Sequence, residues 1–267
     1  MSGKLVNDRT VDIDLMMETL ADAGFEVPPG RQTAVARSGV GVVGWRVSRA
    51  AALTEWRRLL AAREHTGMHP VLTDLDPARL VAGEPGDPDV FDDRAVTAPR
   101  EIVAEVTAAV LADRLANAED DEERRGWRED FDPEQLAVQV SSVPDPPATI
   151  ESTGSWLCLV GTPTGWSVPG LVPGRPYAPN WFVGPENRGM RDSDHAAFLH
   201  TWNDRFGAEL RFVTDTMLVL DVARPPQDPL EVAEAAIEQY AYCPDGHDTT
   251  AYADGQTRTG TWQFTWD

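Results

Sequence analysis

The stretch Glu209-Leu-Arg-Phe-Val-Thr-Asp-Thr-Met-Leu-Val-Leu-Asp-Val222 decides the fold. Two runs rich in apolar and β-branched residues, Glu209 to Val213 and Met217 to Val222, flank the polar Thr214-Asp215-Thr216 and predict a hairpin. Arg224-Pro225-Pro226 ends the second run, because proline cannot donate to a sheet ladder. On the N-terminal side, Asp192 or Ser193 caps a helix that carries Phe198, Leu199, Trp202 and Phe206 on one face and closes at Gly207. Trp181-Phe182-Val183 before it reads as a strand. On the C-terminal side, Asp228-Pro229-Leu230-Glu231 supplies an N-cap, a first-turn proline and the acid of a capping box. The helix so begun has an apolar stripe of Leu230, Ala233, Ile237, Tyr240 and Ala241, with Glu231, Glu234 and Glu238 on a polar face. Alternation in Trp262-Gln-Phe264-Thr-Trp266 gives a last strand. The order βαββαβ is that of a ferredoxin-like two-layer sandwich. The buried-type run Trp156 to Val160 is the other candidate for its first strand.

The N-terminal part reads as α/β. Ile13, Met16, Met17 and Leu20 recur at helical spacing, and Pro28-Pro29-Gly30 breaks the chain after them. Gly39-Val-Gly41-Val-Val-Gly44 has the letters of a dinucleotide fingerprint, but the valines make it a strand that runs on through Trp45-Arg46-Val47, so a closely packed strand is expected. Ser48 caps a helix buried through Ala52, Trp56, Leu59 and Leu60, and Pro70-Val71-Leu72 is the next strand. Residues 74–96 are rich in Asp, Pro and Gly and read as a long loop. Pro99 opens a helix whose stripe runs from Ile102 to Leu115. The acidic run Glu119 to Glu123 reads as its solvated end, and Asp132-Pro133 starts a short helix. Three prolines in Ser141 to Thr149 mark a boundary. The chain is thus expected to be α+β: an N-terminal α/β region over 1–140, a linker over 141–150 and a C-terminal domain over 151–267.

Composition bounds the function. At 267 residues with 42% hydrophobic and 25% charged residues, the chain can bury a core. The net charge of −21 and pI near 4.5 disfavour nucleic acid and anionic membranes as partners and favour a basic protein or a cation. Between Arg31 and Arg63 the balance inverts, with seven arginines against the single acid Glu55; pairing with acids elsewhere is expected there rather than an anion site. No apolar run is long enough to span a bilayer, and Met1 to Asp14 carries charges where a leader would be apolar. Two cysteines, Cys158 and Cys243, make no disulfide framework, so reduced thiols and a cytoplasmic location are expected, with Cys158 as a core residue. The use of arginine in place of lysine at every basic position but Lys4 points to a high-GC bacterial genome.

Chemistry concentrates at Glu238-Gln-Tyr-Ala-Tyr242-Cys243-Pro-Asp245, with His247 beyond it. Glu238, Cys243, Asp245 and His247 are the candidate catalytic residues. A zinc site lacks a second ligand pair, so no metal or cofactor is assigned. As a nucleophile Cys243 is poorly placed, since the negative end of a helix dipole disfavours thiolate. Trp166, Trp181, Trp202 and Tyr242 are the candidate binding residues, aromatic side chains being frequent interface anchors.

Four motifs carry a resemblance: Trp202-Asn-Asp-Arg205-Phe206-Gly207-Ala208, Arg224-Pro225-Pro226, Glu238 to Asp245, and Trp262-x-Phe264-x-Trp266-Asp267. Together they resemble the bacterial domain-of-unknown-function family number forty-two fifty-three over the last third of the chain. Gly44-Trp45-Arg46-Val47 and the Trp56 helix look like the N-terminal half of its longer members. The resemblance implies no activity, cofactor or partner; it points to Trp202, Gly207, Glu238, Tyr242, Cys243 and Asp245 as pattern positions. The chain departs from the pattern at Gly246-His247-Asp248 and at Thr265. The function expected is a non-catalytic intracellular protein-interaction module, regulatory or immunity-like, binding another protein. The alternative is a hydrolase or transferase that uses the cluster near residues 238–248.

Overall fold

The structure is a computed structural model that describes residues 12–82, 92–140, 154–172, 182–183, 188–244 and 248–266. The proposed linker 141–150 and Trp181, Asp245 and His247 lie outside the described residues.

A mixed sheet organises the molecule. Its strands are β1 (Gln32–Val35), β2 (Gly41–Arg46), β3 (His69–Thr73), β4 (Trp156–Val160), β7 (Ala208–Val213), β8 (Met217–Val222) and β9 (Thr261–Thr265), in the order β1-β2-β4-β3-β7-β8-β9. All neighbours are antiparallel except β3 and β7, which run parallel and meet at Leu72 and Phe212. A separate ribbon joins β5 (Phe182–Val183) to β6 (Arg188–Gly189). The helices in chain order are α1 (Ile13–Asp22), α2 (Arg49–Ala61), α3 (Arg63–Thr66), α4 (Pro77–Val81), α5 (Arg94–Thr97), α6 (Pro99–Asn117), α7 (Asp121–Asp130), α8 (Pro133–Gln139), α9 (Val168–Leu171), α10 (Asp192–Phe206), α11 (Pro229–Tyr242) and α12 (Thr249–Asp254).

Alternation along the strands sends side chains to two cores. One face presents Val42, Val71, Cys158, Val160, Leu218 and Leu220 to the cluster that includes α6, α10 and α11. The other presents Val43, Trp45, Leu72, Leu157 and Leu159 to α1 and α2, where Met16, Leu20 and Trp56 are buried. The glycine-rich segment is indeed a packed strand. A Cβ on Gly44 would lie 2.7 Å from the Cys158 sulfur and 2.7 Å from a Pro77 carbon, so only glycine lets β4 and α4 close on β2 at that point.

The hairpin, the α10 stop at Gly207 and the β9 alternation match the sequence reading. Gly207 is left-handed at φ 63°, as a helix C-cap requires, and its N–H is donated to the Asn203 carbonyl. Trp262, Phe264 and Trp266 are buried while Gln263 and Thr265 are half-buried.

Other expectations need correction. The ferredoxin-like arrangement would place the last strand beside the first. Instead β7, β8 and β9 run as a meander, and β4 reaches them only across β3. The physical reason is burial: β4 is buried along its whole length and takes neighbours on both edges, whereas the half-buried alternation of β9 suits an edge. The strand expected at Trp181 is the short β5, whose pairing partner among the described residues is β6. The acidic run Glu119 to Glu123 does not end α6 but begins α7, with Asp120 accepting from the Glu122 and Glu123 amides. Acids belong at that end because helix N-termini are positive. Residues 74–96 contain α4, capped by Asp76 with Pro77 in its first turn, and the first three residues of α5. Leu230 is 42% exposed rather than part of the α11 stripe. That helix is instead buried on several sides, packed by α6, α8 and α12.

Candidate functional site

The α11 helix brings Glu238, Tyr242 and Cys243 to the interior between α10 and β9. Its residues from Ala235 to Tyr242 are apolar but for Glu238 and Gln239, so both polar groups must find partners inside. Glu238 does so on α10. The Trp202 indole N–H donates to its Oε2 at 2.8 Å, and the Arg205 guanidinium donates to its Oε1 at 2.7 Å. The other arm of Arg205 reaches Glu234 at 2.9 Å. Burial pushes the Glu238 carboxyl above its ordinary value, and Arg205 and Trp202 pull it back only in part. Gln239 is bonded by Thr257 at 3.0 Å and by Gln256 at 3.2 Å.

Tyr242 is fully buried. Its hydroxyl lies 2.8 Å from His195 Nδ1, and its ring meets Trp202, Phe264 and Trp266 edge-on at centroid distances of 5.2, 4.9 and 5.3 Å. Trp202 in turn stacks on Phe264 at 5.3 Å and meets Trp262 edge-on at 5.5 Å. These are the offset and T-shaped geometries that ring quadrupoles favour. Trp202 and Tyr242, expected as binding residues, are core residues, both with no exposure. Large aromatic side chains with a polar tip can be buried wherever the tip is bonded, as both are here.

Cys243 ends α11. Its amide donates to the Gln239 carbonyl at 2.9 Å, its carbonyl accepts from the Tyr252 hydroxyl at 2.6 Å, and its thiol donates to the Thr265 carbonyl at 3.3 Å. The side chain is buried, so the sulfur acts as a tie between α11 and β9. Cys158 is likewise free and buried, and burial drives its thiol far above the usual range. Trp166 stands apart from this group: it is half-buried and stacks on His200 at 4.1 Å with 10° between the planes.

Of the candidate residues, the structure thus brings together Glu238, Tyr242, Cys243 and Trp202, and leaves Trp166 elsewhere. Two partners escaped the sequence reading. Arg205 carried a signal in its spacing, one turn after Trp202 on α10, which makes both available to a single acid on a neighbouring helix. His195 carried none beyond its residue type. Among the described residues no group of three or more His, Cys, Asp or Glu could hold a metal ion, and no helix is long and apolar enough to cross a membrane.

Residues 156–267 match the family model Domain of unknown function (DUF4253). The DUF4253 match begins on the first residue of β4, and so takes in β4, α10, α11, β9 and the whole Glu238 constellation. It leaves out β2 and β3, the two strands between which β4 is held. No curated protein and no solved structure matches the chain.

Proposed function

We propose that the protein is a non-catalytic intracellular module that binds another protein, in a regulatory or immunity-like role. The observation that supports this most is the internal commitment of its reactive groups. The Cys243 thiol is buried against the Thr265 carbonyl, and the Glu238 carboxylate is held by Trp202 and Arg205. Groups so engaged stabilise a fold and are poorly placed to attack a substrate. The net charge of −21 selects the class of partner: a basic protein is attracted, while nucleic acid and anionic membranes are repelled. Two isolated cysteines, both free and buried, support a cytoplasmic site, and the arginine-for-lysine usage supports a bacterial origin.

Capture on the immobilised full-length protein with cross-linking, followed by reconstitution of the complex from purified components, tests the reading. The expected complex weakens steeply with salt and is indifferent to Cys243→Ser. If no specific partner is captured, or the reconstituted pair does not associate, the reading fails. The alternative, a hydrolase or transferase, is favoured by one feature, the raised Glu238 carboxyl, since shifted carboxyls concentrate at active sites. It requires a turnover that Glu238→Gln abolishes in a variant that remains folded.

A further inference from the structure

The sheet ends on two edges, β1 and β9, and the chain treats them differently. An edge strand turns half of its backbone groups outward, where another strand can pair with them unless something in the molecule takes them first. At β9 the molecule takes them. The Thr261 amide donates to the Thr259 hydroxyl at 3.4 Å, the Thr261 carbonyl accepts from that same hydroxyl at 2.8 Å, the Gln263 amide donates to Gln256 Oε1 at 2.8 Å, and the Thr265 carbonyl accepts from the Cys243 thiol. At β1 it does not. The Ala36 amide donates to the Val40 carbonyl at 2.9 Å, which fixes the parity of the ladder: Gln32 and Ala34 turn their backbone groups to Gly44 and Val42 of β2, and Thr33 and Val35 turn theirs outward. Among the described residues no hydrogen bond reaches those outward groups, and both residues are exposed, Val35 to 49%. Arg31 and Arg37 stand at the two ends of this open edge. Both are exposed, and neither has a carboxylate partner among the described residues, although the chain carries 44 acidic residues against 23 basic ones.

We infer that the β1 edge binds an extended segment of a partner protein as an added strand, and that this segment is acidic at both ends. Main-chain bonding to Thr33 and Val35 supplies the pairing, and the exposed Val35 gives the incoming strand a β-branched side chain to pack against. A second copy of this chain is the simplest alternative occupant, and charge opposes it. Two β1 strands use all their outward groups in the antiparallel register that sets Thr33 opposite Val35, and that same register sets Arg31 opposite Arg37 at both ends. Like charges directly opposite are destabilising, whereas carboxylates in those two places meet both arginines. The inference deepens the protein-binding reading and rests on it only for the partner being a protein: the overall charge attracts a basic protein, and the edge selects the one segment of it that pairs.

A synthetic peptide as long as Arg31 to Arg37, with aspartate at each end and alternating valine and threonine between, tests it in titrations of the full-length chain followed by ¹H–¹⁵N NMR. The peptide should shift the Thr33 and Val35 amides saturably and slow their exchange with solvent, while the Gln263 amide on the covered edge stays in place. The same peptide with lysine ends should bind about fivefold more weakly at low salt, and Arg31→Gln combined with Arg37→Gln should erase that difference. Methylation of the peptide amides that face β1 should abolish binding, as should Val35→Pro, which removes an outward N–H and none that β2 uses. Should Val35→Pro lose its fold, the methylated peptide puts the same question to the unaltered chain. No saturable shift, equal binding of the lysine-ended or the methylated peptide, or movement of the Thr33 and Val35 amides with protein concentration alone, the mark of a second copy, would each overturn the inference. A basic partner captured by a chain that fails these peptide tests leaves the protein-binding reading standing and removes the β1 edge from it.

Discussion

The chain before residue 141 and the chain after 153 build one sheet by different means. The first supplies β1, β2 and β3 and covers one face with α1 and α2, around Met16, Leu20 and Trp56. On the opposite face, beside α6 of the first region, the second adds a set of rings, where Trp202, Tyr242, Trp262, Phe264 and Trp266 touch one another. The two exchange partners at β4, which belongs to the second region by sequence and lies between two strands of the first. The other join is thin: β3 and β7 meet at one ladder position, reinforced by the His69 ring against the Leu210 carbonyl at 2.8 Å and by Arg63 on Glu209 at 2.9 Å. A family boundary drawn at Trp156 therefore cuts through hydrogen-bonded sheet.

The largest expected effect follows from that cut. Residues 156–267 expressed alone leave β4 with neither of its neighbours and β7 without β3, so the segment should show no cooperative urea or thermal transition while the full chain shows one. A sharp transition and a dispersed NMR spectrum from the fragment would break the comparison. Next come the two buried indoles. Trp202→Ala removes a ring in contact with Phe198, Tyr242, Trp262 and Phe264 and strips Glu238 of a donor; Trp56→Ala removes a ring whose N–H reaches the Pro70 carbonyl. Each should cost about 3–5 kcal/mol by denaturant titration, with Trp202 the costlier because it also leaves a half-buried carboxylate short of a partner. A larger loss at Trp56 would mean that the smaller core dominates.

His69 probes the join itself. It is fully buried, its Nε2 donates to Leu210, and Gly165 abuts the ring so closely that a Cβ there would stand 2.6 Å from Cε1. Burial lowers its pKa from 6.5 to about 4, helped by Arg63 and opposed by the Leu210 bond. Between those values the unfolded chain holds the proton and the folded chain does not. Stability is therefore complete above pH 6.5 and drains away as the pH falls to 4, by roughly 3 kcal/mol at one pKa unit per 1.4 kcal/mol. His69→Gln keeps a donor for Leu210 and should flatten that part of the pH profile relative to the wild type. Parallel profiles would show that β3 and β7 are not coupled through this ring.

What was legible in the sequence was local. Caps at Asp228 and Ser48, the stop at Gly207, the hairpin around Asp215 and the alternation of β9 are each written in a few adjacent residues, and each is found. The place of β4 was not legible, because a run buried on both faces records that it has neighbours and not which ones. Gln32 to Val35 carries too little apolar signal for its role as an edge strand. At the site, Glu238 and Cys243 stood out by residue type, but their meaning came from Arg205, Trp202 and Thr265, which approach only when α10 and β9 pack on α11. Non-local contacts of that kind also enclose the rings at 202 and 242, which residue type alone marks only as candidates for binding.

The smallest expected effects lie in the ion pairs that span the two regions, and they separate by burial. Arg63 and Glu209 are 31% and 15% exposed, and burial raises the Glu209 carboxyl against the pull of Arg63. Arg57 is 60% exposed and stands 3.9 Å from Asp221, which Arg211 already contacts at 3.3 Å. Removing Arg63 strands a largely buried carboxylate, so Arg63→Ala should cost about 1 kcal/mol. Arg57→Ala leaves Asp221 with Arg211 and should stay within about 0.5 kcal/mol, in the range of exposed pairs. The pair also separates in salt: screening should erase the Arg57 effect well before the Arg63 effect, since charges close together and shielded by protein are reached poorly by counterions. Equal losses at Arg57 and Arg63 in denaturant titrations at low and high salt would mean that the join depends on the overall field between an arginine-bearing helix and an acidic hairpin, and not on the one contact that is buried.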